Sequence, residues 1–281
     1  GPRQRVLVGL RELASAQAVI ELSLLLRDAS QHQPLYLVHA ARDDESVGDN
    51  VGRAEKMLSD AVTLCSSADV AAEISTSIDH TVGAALVRST KETQATHLVL
   101  GWNFETPAGE QSAYGSTVDE LLRASTSAIL LFRSRHPVST TQKITLALPP
   151  LTFPDDVLTA AITAVKRIAQ QLGAPIEVLT EAKTWERYAG IIGDAKPEAA
   201  TKHHPLETWD SLRQALVDRT STSDLLVLVG HRESNRDIAR TTLGLAERFP
   251  EASIALIHGP VAATRSEEAS QPALSLVADA T

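Results

Sequence analysis

The sequence has few features of a secreted, membrane-spanning or nucleic-acid-binding protein. It contains one cysteine, which excludes an intramolecular disulfide framework and is typical of cytoplasmic proteins. No apolar run approaches the roughly 18 residues that a membrane-spanning helix needs, and the first residues do not form a signal peptide. The net charge of -9 argues against a surface for nucleic acid or anionic lipid. We therefore expect a cytoplasmic location and no nucleic-acid partner.

Aromatic residues are also scarce, at 4% of the chain against 43% for all apolar residues. Alanine, leucine, valine and isoleucine must therefore fill the core, as they do in parallel α/β sheets. The length of 281 residues fits two domains of roughly 130 residues each. The one cysteine, Cys65, lies among small apolar residues and is predicted to be buried.

The first half alternates short apolar runs with segments of helical periodicity, which is typical of a doubly wound parallel sheet. The acidic, glycine-containing segment 41–50 is predicted to be an exposed loop. The predicted strands are 5–10, 35–39, 71–78, 97–101 and 128–132, and the predicted helices are 13–28, 51–66, 82–93 and 118–124.

The same pattern begins again after a polar linker, with one strand fewer. Predicted strands are 144–148, 176–179, 225–229 and 254–257, with helices at 154–172 and 206–219 and a Gly/Pro-containing connection at 190–205. We therefore predict an α/β fold of two tandem doubly wound domains, the second abbreviated. The predicted boundaries are 4–136 and 142–259, followed by a partly ordered tail at 260–281.

A glycine-bounded loop is the strongest functional signal. The strand at 97–101 stops at Gly101, and Gly115-Ser116-Thr117 stands directly before a periodic segment. A helix that starts this way offers free N–H groups and a positive dipole end, where phosphate binds readily. The same residue types also make a plain helix cap, so both interpretations stay open.

The opening strand RVLVGL, the strand LYLVH and the segment HLVLG…GSTVDELLRASTSAILLF together resemble the universal stress protein family in tandem form. The resemblance covers nearly all of residues 4–258. It implies a doubly wound fold, pseudo-two-fold pairing of the halves, dimerisation through the last strands, and an adenine nucleotide as ligand. The binding residues that it implies or that stand at matching positions are Gly9, Leu10, Arg11, Val38, His39, Gly101, Trp102, Asn103, Gly115, Ser116, Thr117 and Val118.

Within that resemblance, Gly101 and Gly115 are the first and last glycines of the phosphate loop and Val38 lies beside the adenine. Three features depart from the family pattern. Phe104 stands at the middle glycine, the loop is one residue longer, and Gly9-Leu10-Arg11 replaces the usual aspartate of the first strand. The second half has no Gly-Ser/Thr helix start after Gly230, which predicts a degenerate partner. ATP, AMP and cyclic di-AMP are the candidate ligands.

Several residues carry two interpretations. Arg11 can contact a phosphate or base, or it can be an ordinary solvated charge. Trp102 and Phe104 can stack on a base or simply cover the sheet edge. The histidines show neither metal-binding spacing nor an accompanying carboxylate pair, so no metal is predicted.

The favoured function is a non-catalytic, adenine-nucleotide-sensing regulatory module. Gly1-Pro2 looks like a tag remnant and Met57 is the only methionine, which suggests a piece of a longer protein. Tandem domains of the resembling family occur as cytosolic C-terminal parts of cation/proton antiporters, so we expect an attached membrane transporter. A ligand-free assembly scaffold is the alternative, and a homodimer is expected in either case. A third possibility, an ATP-hydrolysing enzyme, has His97 and Glu110 as its only nearby general bases.

Overall fold

The computed structural model of the chain describes residues 3–44, 47–109 and 111–261. Across those residues, ten strands form one continuous sheet and eight α-helices cover its two faces. The strands are β1 Val6–Gly9, β2 Leu35–Arg42, β3 Ala72–Asp79, β4 His97–Gly101, β5 Ala128–Arg133, β6 Lys143–Ala147, β7 Ile176–Glu181, β8 Thr201–Leu206, β9 Asp224–Gly230 and β10 Ser253–His258. The helices are α1 Leu13–Leu26, α2 Val47–Ser67, α3 Val82–Glu92, α4 Ser116–Ala124, α5 Asp155–Leu172, α6 Ala182–Asp194, α7 Leu212–Arg219 and α8 Asn235–Arg248.

The strand order is β3-β2-β1-β4-β5-β10-β9-β6-β7-β8, so each half of the sheet repeats the same order outward from the centre. Every neighbouring pair is parallel except the central β5–β10 pair, where Arg133 lies opposite Ile254 and Ile129 opposite His258. This arrangement confirms the predicted α/β fold class. Because the two last strands pair with each other inside the chain, a homodimer needs a different surface.

The second half is not abbreviated, and this corrects the sequence-based expectation. The segment predicted as a connection contains the end of α6 and most of β8, which forms the sheet edge. Strand β8 has a single buried residue, Leu206, and it contains Pro205. It therefore lacks the apolar run that marks an inner strand. In the first half, α2 begins at Val47, so the predicted loop at 41–50 is shorter than expected.

Two apolar cores lie on opposite faces of the sheet and extend through both halves. One contains α1, α2, α5 and α6 side chains, including the fully buried Cys65, as predicted. The other contains side chains from α3, α4, α7 and α8. Helices α1 and α5 pack against each other across the halves, and Arg167 forms an ion pair with Asp28 at 3.3 Å.

Two arginines, the buried Arg133 and the half-buried Arg232, join the halves at the centre of the sheet. The guanidinium of Arg133 donates four hydrogen bonds of 2.8–3.2 Å to the carbonyls of Ala246, Phe249 and Ala252, at the end of α8 and the turn before β10. Arg232 donates to the carbonyl of Leu122, in the last turn of α4, and to that of Ser127, just before β5. Burial lowers the pKa of each arginine to about 10, so both stay charged at neutral pH. The bonds to Ala246 and Leu122 satisfy carbonyls in the last turns of α8 and α4, which have no partner within the helix.

Candidate functional site

A cleft of about 390 Å³ opens at the carboxyl ends of β1 and β4, on the side of α1. These strands are adjacent in the sheet although they are not consecutive in the chain, and doubly wound sheets bind ligands at such a switch point. Five of the predicted binding residues line this cleft: Gly9, Arg11, Gly101, Trp102 and Asn103. The volume lies within the range of about 300–1,000 Å³ that is usual for small-molecule sites.

The close approach of α1 to β4 depends on Gly101. A Cβ at this position would lie 3.2 Å from Cγ2 of Val19 and 3.5 Å from the Ser15 side chain, both on α1. A larger residue would therefore press on the helix at the floor of the cleft. Gly101 allows the strand end and the first turns of α1 to form one narrow wall.

Two arginines give the cleft its free positive groups, Arg11 just before α1 and Arg135 after β5, and both are exposed. Arg133, the last residue of β5, also lines the cleft, but its guanidinium is bonded to the carbonyls of Ala246, Phe249 and Ala252. Arg135 uses its Nε to bond the carbonyl of Pro250 at 2.9 Å, so its remaining donors stay available. The adjacent helix α1 begins without a side-chain cap, which leaves its first N–H groups facing this end of the sheet. Glu12 and Glu105 are the acidic residues of the lining.

Gly115 and Ser116 lie in a separate groove of about 690 Å³, on the side of α4. The groove and the cleft share Trp102 and Glu105, which stand between them. The charged side chains of the groove are mostly acidic: Glu105, Asp119, Glu120 and Arg123. The structure therefore divides the predicted binding residues between two neighbouring cavities of different charge.

The start of α4 already holds a carboxylate. The Asp119 side chain accepts hydrogen bonds from Ser112 Oγ at 2.5 Å and from the N–H groups of Ala113 and Tyr114 at 3.0 Å each. Gly115 takes φ = 105°, a conformation that favours glycine, to connect this turn to the helix. Among the described residues, the N–H groups of Ser116, Thr117 and Val118 have no hydrogen-bond partner. A phosphate at this helix start would use those three donors and would meet the negative charge of Asp119.

The remaining predicted residues form supporting structure around the cleft. Val38, Leu10 and Val118 are buried in the cores, and His39 is half-buried. The N–H of Leu10 donates to the Val38 carbonyl at 2.8 Å, and His39 Nδ1 lies 3.0 Å from the Leu10 carbonyl oxygen. Val38 therefore offers no open surface to an adenine in this structure.

Phe104 has an unusual backbone and an unusual position. Its φ is +57°, and only 4% of its surface is exposed, with the ring in the α3/α4 core although the residue also lines the cleft. A left-handed backbone costs a bulky residue about 1–2 kcal/mol. Burial of a phenylalanine ring contributes about 1.5–3 kcal/mol, which offsets that strain. The sequence signal was the phenylalanine at a position where the resembling family has glycine, but its burial could not be predicted.

Tyr114 connects the end of the loop to the second half, and sequence reasoning missed this contact. The buried hydroxyl lies 3.2 Å from His258 Nε2 and donates to the Asn235 carbonyl at 3.3 Å. Burial lowers the pKa of His258 to about 3, so this imidazole is neutral at physiological pH.

The groups considered for catalysis do not meet at the cleft. His97 begins β4, at the strand end opposite the cleft, and desolvation lowers its pKa to about 4. Glu110 lies outside the described residues. In the part of the chain that the structure describes, no three His, Cys, Asp or Glu residues are grouped as a metal site would require. No helix there is long and apolar enough to cross a membrane.

The second half has an aromatic cluster after its first strand. The Phe153 ring follows β6, is 3% exposed, and packs edge-on against Tyr188 and His231 at centroid distances of 5.9 and 6.1 Å. These rings fill the position that corresponds to the cleft of the first half.

Comparison with known proteins identifies solved structures of similar fold. No protein-family model and no curated protein sequence match the chain. Among solved structures, the cytoplasmic domain of a prokaryotic cation chloride cotransporter is similar over 92% of this chain and 96% of its own, with a TM-score of 0.62 and 10% identity. A universal stress protein from Archaeoglobus fulgidus DSM 4304 is similar over 92% of this chain and 98% of its own, with a TM-score of 0.61 and 11% identity. The chain therefore has a fold of the universal stress protein type, which is the fold that the sequence resemblance predicted.

Proposed function

We propose that this chain is a non-catalytic regulatory module that binds an adenine nucleotide in the cleft at the ends of β1 and β4. The proposal rests on one observation: five residues that the sequence selected for nucleotide binding meet in one cleft at the switch point of the sheet. Ligands of doubly wound folds bind at this place because adjacent loops diverge there and leave a crevice.

The lining residues suit the parts of a nucleotide. The half-buried indole of Trp102 offers a flat surface on which a base can stack. Arg11 and Arg135 supply guanidinium donors for phosphate, which they bind in bidentate geometry. The described lining of the cleft contains two carboxylates, Glu12 and Glu105, but no histidine, the residue that most often serves as a general base, and for this reason the proposed role is sensing rather than hydrolysis.

We further propose that the module regulates an attached ion transporter, and a cation/proton antiporter is the parent that the sequence resemblance suggests. One structural relative is the cytoplasmic domain of a cation chloride cotransporter, so this fold occurs in that setting. A ligand can shift a transporter between states only by binding one state more tightly. Transport by the parent protein with and without this segment, each with and without nucleotide, tests the idea; identical activities and identical nucleotide responses would refute it.

Calorimetric titration of the whole chain with AMP, ATP and cyclic di-AMP tests the binding site. Arg11→Gln removes an exposed guanidinium at the cleft mouth, and Arg123→Gln removes an exposed guanidinium in the neighbouring groove. We expect Arg11→Gln to weaken binding about tenfold, since a charged hydrogen bond is worth about 1.5–3 kcal/mol, and Arg123→Gln to leave it unchanged. Equal effects of the two variants, or no binding by the wild-type chain, would contradict the proposal and favour a ligand-free assembly scaffold.

A further inference from the structure

One buried ring fixes the loop that divides the cleft from the groove. Among the described residues, no hydrogen bond joins the backbone of 103–109 to the rest of the chain. Within this segment only Phe104 is buried, and the other residues are exposed or, in the case of Pro107, half-buried. The Phe104 ring is therefore the one buried anchor of residues 103–109.

The backbone under this anchor is strained. Four described non-glycine residues have positive φ: His32, Asp69, Gln94 and Phe104. The first three are polar residues that follow helices, where a left-handed residue ends the helix. Phe104 alone is apolar and buried, so the same ring that anchors the loop also holds its backbone in a disfavoured conformation. Withdrawal of the ring relieves that strain, which makes the anchor easier to release than an ordinary core phenylalanine.

The loop stands where the two cavities meet. Trp102 and Glu105, on either side of the anchor, are the residues that the cleft and the groove have in common. Arg11 lines the cleft and Ser116 lines the groove, so Trp102 and Glu105, which line both, stand between the arginine and the free N–H groups at the start of α4. If residues 103–109 move away from the sheet, the cleft and the groove form one continuous site.

We propose that Phe104 is a specificity-determining latch that limits the cleft to ligands with a short anionic part. In the latched form, a nucleoside monophosphate fits the cleft, and a polyphosphate chain cannot reach the start of α4. When the Phe104 ring leaves the core, the polyphosphate of a longer ligand reaches the free N–H groups of α4. This inference rests on the proposed function for the identity of the ligand, but the anchoring of the loop does not depend on it.

The experiment compares three variants of the whole chain. Phe104→Gly removes the ring and accepts the positive φ, and Phe104→Leu keeps a buried apolar side chain. Asp69→Gly is the matched control, because it relieves a left-handed residue at φ = +60° far from the loop. Cleavage after the exposed Glu105 by a glutamate-specific protease reports loop opening without any ligand, and titrations with AMP and ATP report specificity.

We expect Phe104→Gly to raise the cleavage rate at least tenfold and the ATP-to-AMP affinity ratio about tenfold. Phe104→Leu should give a cleavage rate and an affinity ratio between those of Phe104→Gly and the wild type. Asp69→Gly should change neither quantity. An unchanged cleavage rate in Phe104→Gly would overturn the latch, and faster cleavage with an unchanged ratio would overturn its role in specificity. If neither nucleotide binds to any variant, the proposed function and the specificity are both wrong, and the cleavage rate still decides whether Phe104 anchors the loop.

Discussion

The central arginine of the sheet should be among the most sensitive positions in the chain. Arg133 is 5% exposed and satisfies the carbonyls of Ala246, Phe249 and Ala252 through four hydrogen bonds. Hydrogen bonds from a charged donor are worth about 1.5 kcal/mol or more each, and a buried carbonyl that loses its partner costs about 1–3 kcal/mol. The Phe249 carbonyl keeps the N–H of Ala252 at 3.1 Å, so Arg133→Met leaves the Ala246 and Ala252 carbonyls without a partner. Two carbonyls at about 2 kcal/mol each give a loss of about 4 kcal/mol, a large part of a typical stability of about 5–15 kcal/mol.

Urea unfolding measured by circular dichroism tests this value. Arg135→Met is the matched control, because Arg135 is exposed and its side chain makes one hydrogen bond, to Pro250; its substitution should cost less than about 1 kcal/mol. Arg133→Lys keeps the charge without the planar set of donors, so its loss of unfolding free energy should lie between those of Arg133→Met and Arg135→Met. A loss below about 1 kcal/mol for Arg133→Met would show that these bonds do not hold the halves together, and the reasoning would fail.

Two further predictions concern pH and glycine. The pKa of His258 is about 3 in the folded chain against an ordinary 6.5, so its contribution to stability is present above pH 6.5 and is lost as pH falls from 6.5 toward 3. His258→Gln should therefore flatten the dependence of the unfolding free energy on pH in that window by up to about 1.4 kcal/mol per pH unit, and parallel curves for the two proteins would contradict it. Gly115→Ala should destabilise the folded chain by about 1–3 kcal/mol, because φ at this position is +105°. Gly52→Ala, inside α2 with nothing within 4 Å of a new Cβ, should stabilise it by about 0.5–1 kcal/mol. Equal melting temperatures of the two variants would refute this difference.

The sequence predicted the elements whose apolar patterns are strong and missed those whose residues are polar. The inner strand β9 is buried along all seven residues, and its apolar run at 225–229 is typical of a strand covered on both faces. Strand β8 was missed because an edge strand needs little burial, and pairing with β7 is what makes it a strand. Association through the last strands was expected only from the family resemblance, because no local pattern encodes that β5 and β10 meet at the centre or that they run antiparallel.

The site could be predicted only in part for a similar reason. Gly9 and Gly101 were selected through the family resemblance, and they line one cleft because parallel strands end at one edge of the sheet. The separation of Gly115 from them depends on the direction of the Phe104 ring and on the bonds of Asp119, both set by tertiary packing. Spacing along the chain contains no information about either.

The most direct test of the account is a hydrogen-exchange footprint of the whole chain with and without saturating AMP. A nucleotide in the cleft should slow exchange at residues 10–15 and 101–104, at the ends of β1 and β4, and leave residues 116–118 unchanged. Slower exchange at 116–118 alone would place the ligand at the start of α4 instead, and no change at any of these amides would contradict nucleotide binding at this end of the sheet.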